Sequence, residues 1–279
     1  MDSISLHNHT KFSDGVLTGA AAEKLFGGRA EVWSITDHDN IEYYLSGNKA
    51  PLTGIEVTAW LSCQGKGRRI EKPIEFLLYG FDPGALERLW RKFFSEYRKN
   101  QELLLNELVK QFRKEGCEVS EGLKLNEHLL ASSALYFDLK KYKKNAHTAG
   151  DMLNKGVTDF WYSLQTLPVY TPLKDYCKTI DEVRETANEL DCRVFLAHPY
   201  RYEEDVHELI QELKPMIDGV ECLHPSAGEN KSRILLELCR EHELYSCGGS
   251  DLHFSDYEYT PNAHLMREFP EQFSWLDNL

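Results

Sequence analysis

The chain has 279 residues, of which 42% are hydrophobic and 28% are charged, and its formal net charge is −13. This composition is ordinary for a globular protein, and the length allows one large α/β domain or two smaller ones. So acidic a chain lacks the positive field that supports binding to long nucleic acids. No apolar run comes near the roughly 20 residues that span a bilayer, so no membrane partner is expected.

The N-terminus and the cysteines indicate the cellular compartment. The first residues, MDSISLHNHT, contain neither a basic region nor an apolar export signal, which predicts a cytoplasmic protein. Seven cysteines are scattered along the chain without any C-x-x-C pair. This pattern disfavours a thiolate zinc site and a disulfide framework, so we expect free thiols.

Short apolar segments alternate with helical ones along the chain, which is typical of an α/β fold. The predicted strands are 3–8, 31–36, 52–56, 74–80, 193–197, 218–222 and 244–248. The predicted helices between them are 18–28, 179–190, 203–214 and 229–242. Thr18 is the expected cap of the first helix, and the residues TIDE open the second as a capping box.

The middle of the chain has a different pattern. Apolar side chains recur at helical spacing from Leu86 to Phe112, within a long charged segment. We interpret 84–165 as a helical insertion or lid, and 1–83 with 166–279 as the α/β body. The apolar stripe is expected to be packing surface rather than a ligand site.

Polar side chains with metal-binding chemistry follow most of the predicted strands. They are His7, His9 and Asp14 after the first strand, Asp37, His38 and Asp39 after the second, Glu56 at the end of the third, His198 after a later one, Glu221 and His224 beside the strand at 218–222, and Asp251 and His253 after the last. The carboxyl ends of parallel strands form one rim, where α/β barrels build their active sites. We therefore expect these side chains to lie close together.

Imidazole and carboxylate donors without thiolates favour Zn, Mn or Fe. The candidate ligands are His7, His9, Asp14, His38, Glu56, His198, Asp251 and His253. These are too many for one ion, and bridging carboxylates would let them hold about two or three divalent ions. Closely spaced divalent ions stabilise the attacking and leaving oxygens of phosphoryl displacement. The residues therefore predict metal-dependent hydrolysis of a phosphate ester with a small phosphorylated substrate.

Six motifs occur in a characteristic order between residues 4 and 254. They are LHNHTKFSDG, ITDHDN, GIE, LAHP, GVECLHPSA and GGSDLH. Together they resemble the PHP family (polymerase and histidinol phosphatase). The resemblance implies a distorted (β/α)7 barrel with a trinuclear metal site and phosphoesterase activity.

The resemblance also implies roles for individual residues. The first ion would bind His7, His9, Glu56 and Asp251, the second Glu56 and His198, and the third Asp14, His38 and His253. Asp251 would orient or deprotonate the attacking water, and His224 or His253 would protonate the leaving oxygen. His147, Lys174 and His224 match family positions near the substrate.

The sequence departs from the family pattern at two positions. Relatives usually have a histidine on the fourth strand, where this chain reads PIEFLLYGFD and offers only Glu75 as a substitute ligand. Relatives also have a phosphate-clamping arginine at the position of Gly150. The cations that would compensate are Lys143, Lys144, Lys155, Lys174 and Arg201.

Three other functions fit the same residues. A 5′→3′ oligoribonuclease or a cyclic-phosphate phosphodiesterase would keep the phosphorus chemistry and change the substrate. A metal-binding regulatory module would keep the ions without catalysis. An amide hydrolase on a related barrel is the third alternative, and such barrels usually hold fewer ions.

Overall fold

The computed structural model describes residues 3–65, 68–125, 130–154, 157–164, 177–202, 205–253 and 263–277. The chain forms two compact units, of which the first comprises Met1–Arg91 with Lys178–Leu279 and the second Lys92–Cys177. The second unit therefore begins 8 residues and ends 12 residues later than the predicted insertion, which was 84–165. The division into a barrel and a lid stays a prediction.

The first unit is a mixed α/β fold around a central sheet. The strands are β1 (Ile4–Ser5), β2 (Val32–Trp33), β3 (Gly54–Gly65), β4 (Arg68–Tyr79), β5 (Lys178–Thr179), β6 (Arg193–Leu196), β7 (Gly219–Leu223) and β8 (Tyr245–Gly248). The main sheet has the order β5-β3-β4-β6-β7-β8, and β1 pairs with β2 separately. Most neighbours are parallel, but β4 is antiparallel to both β3 and β6.

The long β3–β4 hairpin corrects the sequence prediction for two strands. Short strands were expected at 52–56 and 74–80, with Glu56 at a carboxyl end, but each hairpin strand has 12 residues. Glu56 is the third residue of β3, and Glu75 lies within the antiparallel β4. The expected rim of parallel strand ends is therefore wrong for these two residues. They still share one face, because Glu56 pairs with Leu77 and Thr58 with Glu75.

Backbone hydrogen bonds place the segments after β1, β2 and β8 side by side. The Leu6 amide donates to the Gly248 carbonyl over 2.9 Å, and the His9 amide donates to the Leu252 carbonyl over 3.0 Å. On the other side, the Asp39 amide donates to the Glu56 carbonyl over 2.8 Å. The segments after β1 and β8 are thereby held against each other, and the segment after β2 is held against β3.

The helices follow the apolar periodicity of the sequence. They are α1 (Gly19–Gly27), α2 (Glu42–Leu45), α3 (Pro83–Lys114), α4 (Ala131–Leu139), α5 (Asn145–Thr148), α6 (Gly150–Leu153), α7 (Val157–Leu164), α8 (Ile180–Leu190), α9 (Val206–Leu213), α10 (Gly228–His242), α11 (Ala263–Glu268) and α12 (Pro270–Phe273). Thr18 caps α1, and Thr179 with Glu182 forms the predicted capping box of α8. None of the helices in the described parts of the chain has an apolar stretch that would traverse a lipid bilayer.

The second unit is helical within its described residues. Leu104, Leu105, Leu108 and Phe112 of α3 are buried, and the Phe112 ring lies 5.8 Å from the ring of Phe160 on α7. These members of the stripe pack as predicted, whereas Leu89 in the same stripe is exposed. The sequence predicted helix over 121–162, whereas the structure has four short helices there, and the described residues before α4 are not helical.

Candidate metal centre

The predicted metal ligands lie in the first unit, and all of them except His198 form three adjoining groups of donor atoms. The groups are His7, His9, Glu56 and Asp251, then His9, Asp14, His38 and His253, and finally His38, Glu56 and Glu75. In each group the donor atoms lie within 4.8 Å of one another. Because the groups share members, they form one continuous cluster.

The first group unites the segments after β1 and β8 with β3. His9 Nε2 lies 3.2 Å from Glu56 Oε2 and 3.2 Å from Asp251 Oδ1. His7 Nε2 lies 3.0 Å from Glu56 Oε2. Although burial raises the pKa of Asp251, His253 and His7 outweigh burial and hold that pKa well below its usual range. Asp251 is therefore an anionic donor at neutral pH.

The second group surrounds Asp14, in the turn that follows His9. Asp14 Oδ1 lies 3.2 Å from His253 Nε2 and 3.9 Å from His38 Nε2. The His9 ring stacks against those of His38 and His253, with centroids 4.5 Å and 4.2 Å apart. His9 Nδ1 is buried, has no hydrogen-bond partner within the described residues, and lies 3.9 Å from Asp14 Oδ1. A buried ring nitrogen without a partner, at this distance from a carboxylate, indicates that a cation could bind between His9 and Asp14.

The third group lies over the β3–β4 hairpin. His38 Nδ1 lies 3.2 Å from Glu56 Oε2 and 3.9 Å from Glu75 Oε1. His198, which follows β6, places its Nε2 2.9 Å from Glu56 Oε1 and 3.4 Å from Glu75 Oε2. Burial lowers the pKa of His38 to about 4 and also lowers that of His198. Both imidazoles are neutral at pH 7, as metal binding requires.

Two buried carboxylates support the cluster without belonging to the donor groups. Glu221 Oε1 lies 3.0 Å from His7 Nδ1, while its Oε2 accepts the His198 amide over 2.8 Å. Asp37 accepts hydrogen bonds from the Thr10 amide, the Thr10 hydroxyl and the Ser13 hydroxyl. Both acids are recognisable in the sequence at strand ends, but sequence reasoning assigned a role to neither. Glu221 lies on the strand that leads to His224, and this position in the sequence indicates that it is near the metal centre.

The backbone around the cluster is tightly constrained. A Cβ atom on Gly249 would lie 2.2 Å from the His7 amide nitrogen, so only glycine allows β8 to end against this histidine. His198, Asp251 and Asp39 have left-handed φ angles of 27°, 49° and 47°. Such angles cost about 1–3 kcal/mol at each non-glycine residue and are typical of functional sites.

The structure places only some of the predicted catalytic and substrate residues near the cluster. His224 is buried beside the cluster, with its Nε2 3.3 Å from Asp251 Oδ2. Arg201 is half-buried in the short helical turn that directly follows His198. His147 is exposed on α5 in the second unit, as are the nearby Lys143 and Lys144. Lys155 and Lys174 lie outside the described residues.

The donor set fits divalent metal ions. Asp14, Glu56 and Asp251 are desolvated by burial, but histidines hold the pKa of each below its usual range, so all three stay ionised. Buried anions are costly unless paired or bound to a metal. Imidazole nitrogens and carboxylate oxygens together are the ligands that Zn, Mn and Fe accept.

No profile of a known protein family matches the sequence, and neither does any curated protein. Two solved structures resemble the chain over nearly its whole length. An amidohydrolase from Chromobacterium violaceum, with bound sulfate and no metal, is 20% identical, with a TM-score of 0.64 over 97% of this chain and 96% of that one. A proposed metal-dependent phosphoesterase from Bifidobacterium adolescentis is 19% identical, with a TM-score of 0.58 over 95% of this chain and 94% of that one. The chain therefore shares its fold with a protein of the class that its motifs predict.

Proposed function

We propose that this protein is a metal-dependent phosphoesterase with a trinuclear centre of the PHP type. The main support is the continuous cluster of three donor groups that share His9, His38 and Glu56. A distorted (β/α)7 barrel is proposed as the scaffold. The backbone hydrogen bonds on both sides of β1 and β2, to Gly248 and to Glu56, support it.

The proposed ligands are those that the resemblance to the PHP family implies, and the set for the first ion coincides with the first donor group. The first ion takes His7, His9, Glu56 and Asp251, the second Glu56 and His198, and the third Asp14, His38 and His253. About two or three ions, of Zn, Mn or Fe, would occupy these positions. When bound, such ions neutralise phosphate oxygens and lower the pKa of water toward neutrality.

Asp251 and His224 are the proposed acid–base pair. The Asp251 carboxylate, ionised and only partly exposed, orients the attacking water and accepts its proton. His224 Nδ1 accepts the Ser226 amide over 3.0 Å, so the imidazole proton lies on Nε2. That Nε2–H points at Asp251 Oδ2 and would donate a hydrogen bond to the leaving oxygen, which takes up the proton that Asp251 accepted from the water. His253 is the alternative donor.

The proposed substrate is a small phosphorylated molecule. Ions held by the donor groups would bind the phosphate, and the remaining selectivity is assigned to cations and histidines around them. Arg201, three residues after His198, is the proposed phosphate contact from the first unit. His147 and Lys174, which match family positions near the substrate, stay predicted substrate contacts. Short oligonucleotides and cyclic phosphates are related substrates of the same chemistry.

Amide hydrolysis is the second candidate function, because the C. violaceum structure with the same fold is named an amidohydrolase. The site can polarise an amide carbonyl as well as a phosphate. The third donor group, around Asp14, favours the phosphoesterase. Three adjoining groups offer more positions than a mononuclear or dinuclear amide hydrolase uses.

Asp251→Asn tests the proposal. The wild-type protein with added Mn²⁺ should hydrolyse p-nitrophenyl phosphate or a nucleotide. The variant should lose at least about 100-fold in kcat, because the general base and an anionic ligand are removed together. Asp277→Asn is the control, because Asp277 is exposed and belongs to none of the donor groups, and this variant should retain activity.

The same screen separates the rival functions. Trimming of short RNA or opening of cyclic phosphates would favour the oligoribonuclease or the cyclic-phosphate phosphodiesterase. Turnover of N-acyl amino acids alone would favour amide hydrolysis. Bound ions without turnover of any ester or amide would favour the regulatory metal-binding module. Full phosphatase activity in Asp251→Asn would contradict the proposed mechanism.

A further inference from the structure

Two buried glutamates meet at one position of the metal centre. Glu56 on β3 is 0% exposed and Glu75 on β4 is 3% exposed. Their carboxylates flank the same two imidazoles, those of His38 and His198. Donor atoms of His38, Glu56 and Glu75 lie within 4.8 Å of one another. This position is therefore richer in carboxylate oxygen than a site built around a single glutamate.

The hairpin and its neighbours fix Glu75 in this place. The Glu75 amide donates to the Tyr202 hydroxyl over 2.9 Å, and the Ala197 amide donates to the Glu75 carbonyl over 3.1 Å. The antiparallel register places Glu75 on the same face of the hairpin as Glu56. The side chain is thus held toward the cluster.

Charge and donor type both affect which ion such a position selects. Two ionised carboxylates in one buried site would repel each other, and a divalent cation between them would relieve the repulsion. Carboxylate oxygens suit hard ions such as Mn²⁺, whereas imidazole nitrogens suit Zn²⁺ well. A glutamate in place of an imidazole therefore shifts the balance toward Mn²⁺.

We propose that Glu75 is a ligand of the ion held by Glu56 and His198, and that it raises the affinity of this position for Mn²⁺ relative to Zn²⁺. The inference rests on the metal centre of the proposed function, and it concerns ion selection rather than turnover. The competing role for Glu75 is that of a positioning residue, whose carboxylate orients His198 over 3.4 Å without touching the ion.

Metal content after competitive dialysis tests the proposal without any activity measurement. Purified wild type, Glu75→His and Glu75→Gln are dialysed against a series of metal buffers with increasing ratios of free Mn²⁺ to free Zn²⁺, and each ion is counted by elemental analysis. In Glu75→His, exchange of about one Zn²⁺ per chain for Mn²⁺ should need a higher ratio of free Mn²⁺ to free Zn²⁺ than in the wild type. In Glu75→Gln, the isosteric loss of the anion should remove about one ion per chain. Glu71→His, at an exposed position of the same strand, is the matched control and should leave both counts unchanged.

Each outcome separates this proposal from the proposed function. If the wild type binds ions and Glu75→His holds the same Mn²⁺ and Zn²⁺ as the wild type at every ratio, Glu75 does not raise the relative affinity for Mn²⁺. If circular dichroism shows that Glu75→His is unfolded, Glu75→Gln decides, and an unchanged ion count overturns the ligand role. A wild type that binds no divalent ion overturns the metal centre itself. A shifted ion count in a protein that hydrolyses no ester supports Glu75 and contradicts only the phosphoesterase.

Discussion

The Glu221 carboxylate connects two proposed metal positions through two different contacts. One oxygen lies 3.0 Å from His7 Nδ1, and the other accepts the His198 amide over 2.8 Å. A carboxylate on the far nitrogen of a ligating histidine fixes its tautomer and makes the near nitrogen a better donor. At the scale of single residues, Glu221 therefore prepares His7 Nε2 for an ion while anchoring the segment of His198.

Glu221→Gln should weaken metal binding while preserving the packing of β7. The amide keeps the size of the side chain but loses the charge that favours the His7 tautomer, so Mn²⁺ affinity should fall about 10–100-fold. Isothermal titration calorimetry measures this change. Glu237→Gln, on the exposed face of α10, should bind as the wild type does. Equal affinities for the two variants would contradict the role of Glu221.

Metal binding should also depend on pH through His253. Burial lowers the pKa of His253, but Asp14 and Asp251 outweigh burial and raise it to about 10. An ion binds only the neutral imidazole, so below pH 10 it must displace this proton. Mn²⁺ affinity should therefore rise with pH, and calorimetry in buffers of different ionisation enthalpy should detect released protons. Asp14→Asn should release fewer protons, and an affinity independent of pH would contradict the assignment.

At the scale of elements, the close approach of β8 to β1 positions two groups of ligands. The end of β8 lies against the His7 backbone, and the Asp251 amide donates to the His7 carbonyl over 2.9 Å. This contact requires glycine at position 249, because a Cβ there would meet His7 atoms at 2.2–2.7 Å. The contact of two backbones therefore fixes the distance between His7 and Asp251.

Gly249→Ala should disturb this contact and destabilise the protein. The methyl group would displace His7, with an expected loss of about 1–3 kcal/mol in the free energy of unfolding. Urea denaturation with the protein free of ions measures this loss, and ion titration should show weaker binding as well. Gly27→Ala in α1 is the matched control, because its nearest neighbour would lie at 3.9 Å. Equal stabilities of the two variants would refute the steric argument.

At the scale of the whole molecule, the ions and the fold should depend on each other. The proposed ligands come from separate parts of the first unit, from His7 near one end to His253 near the other. Ions that bind only the folded chain stabilise it by mass action, by about 2.7 kcal/mol when the free ion is at 100 times its Kd. For a chain of this length the expected rise in Tm is on the order of 5–10 °C.

Removal of ions should therefore lower the melting temperature. Calorimetric scans with saturating Mn²⁺ and after chelation with EDTA should differ by this amount for the wild type. His9→Ala should lose most of the difference, since His9 contributes to two donor groups. His207→Ala, at an exposed position of α9, should retain it. A melting temperature that does not respond to ions would argue against a metal centre built from these segments.

The sequence by itself determined the α/β class, most helices and the identity of the clustered side chains. Capping residues and apolar periodicity are local signals, which is why α1 and α8 begin within a residue of their predicted starts. The spacing of two between His7 and His9 is a local signal as well, because residues two apart on an extended segment share a face. These features depend on contacts between residues close in the chain.

Only the tertiary structure decided how Glu56 and Glu75 join the centre. The sequence suggested two short strands with a ligand at an end, whereas the hairpin is long and β4 is antiparallel to its neighbours. Strand direction and register depend on pairing between distant segments, and no local pattern encodes them. The contacts of Glu221 with His7 and His198 arise in the same way, because they join residues far apart in the chain.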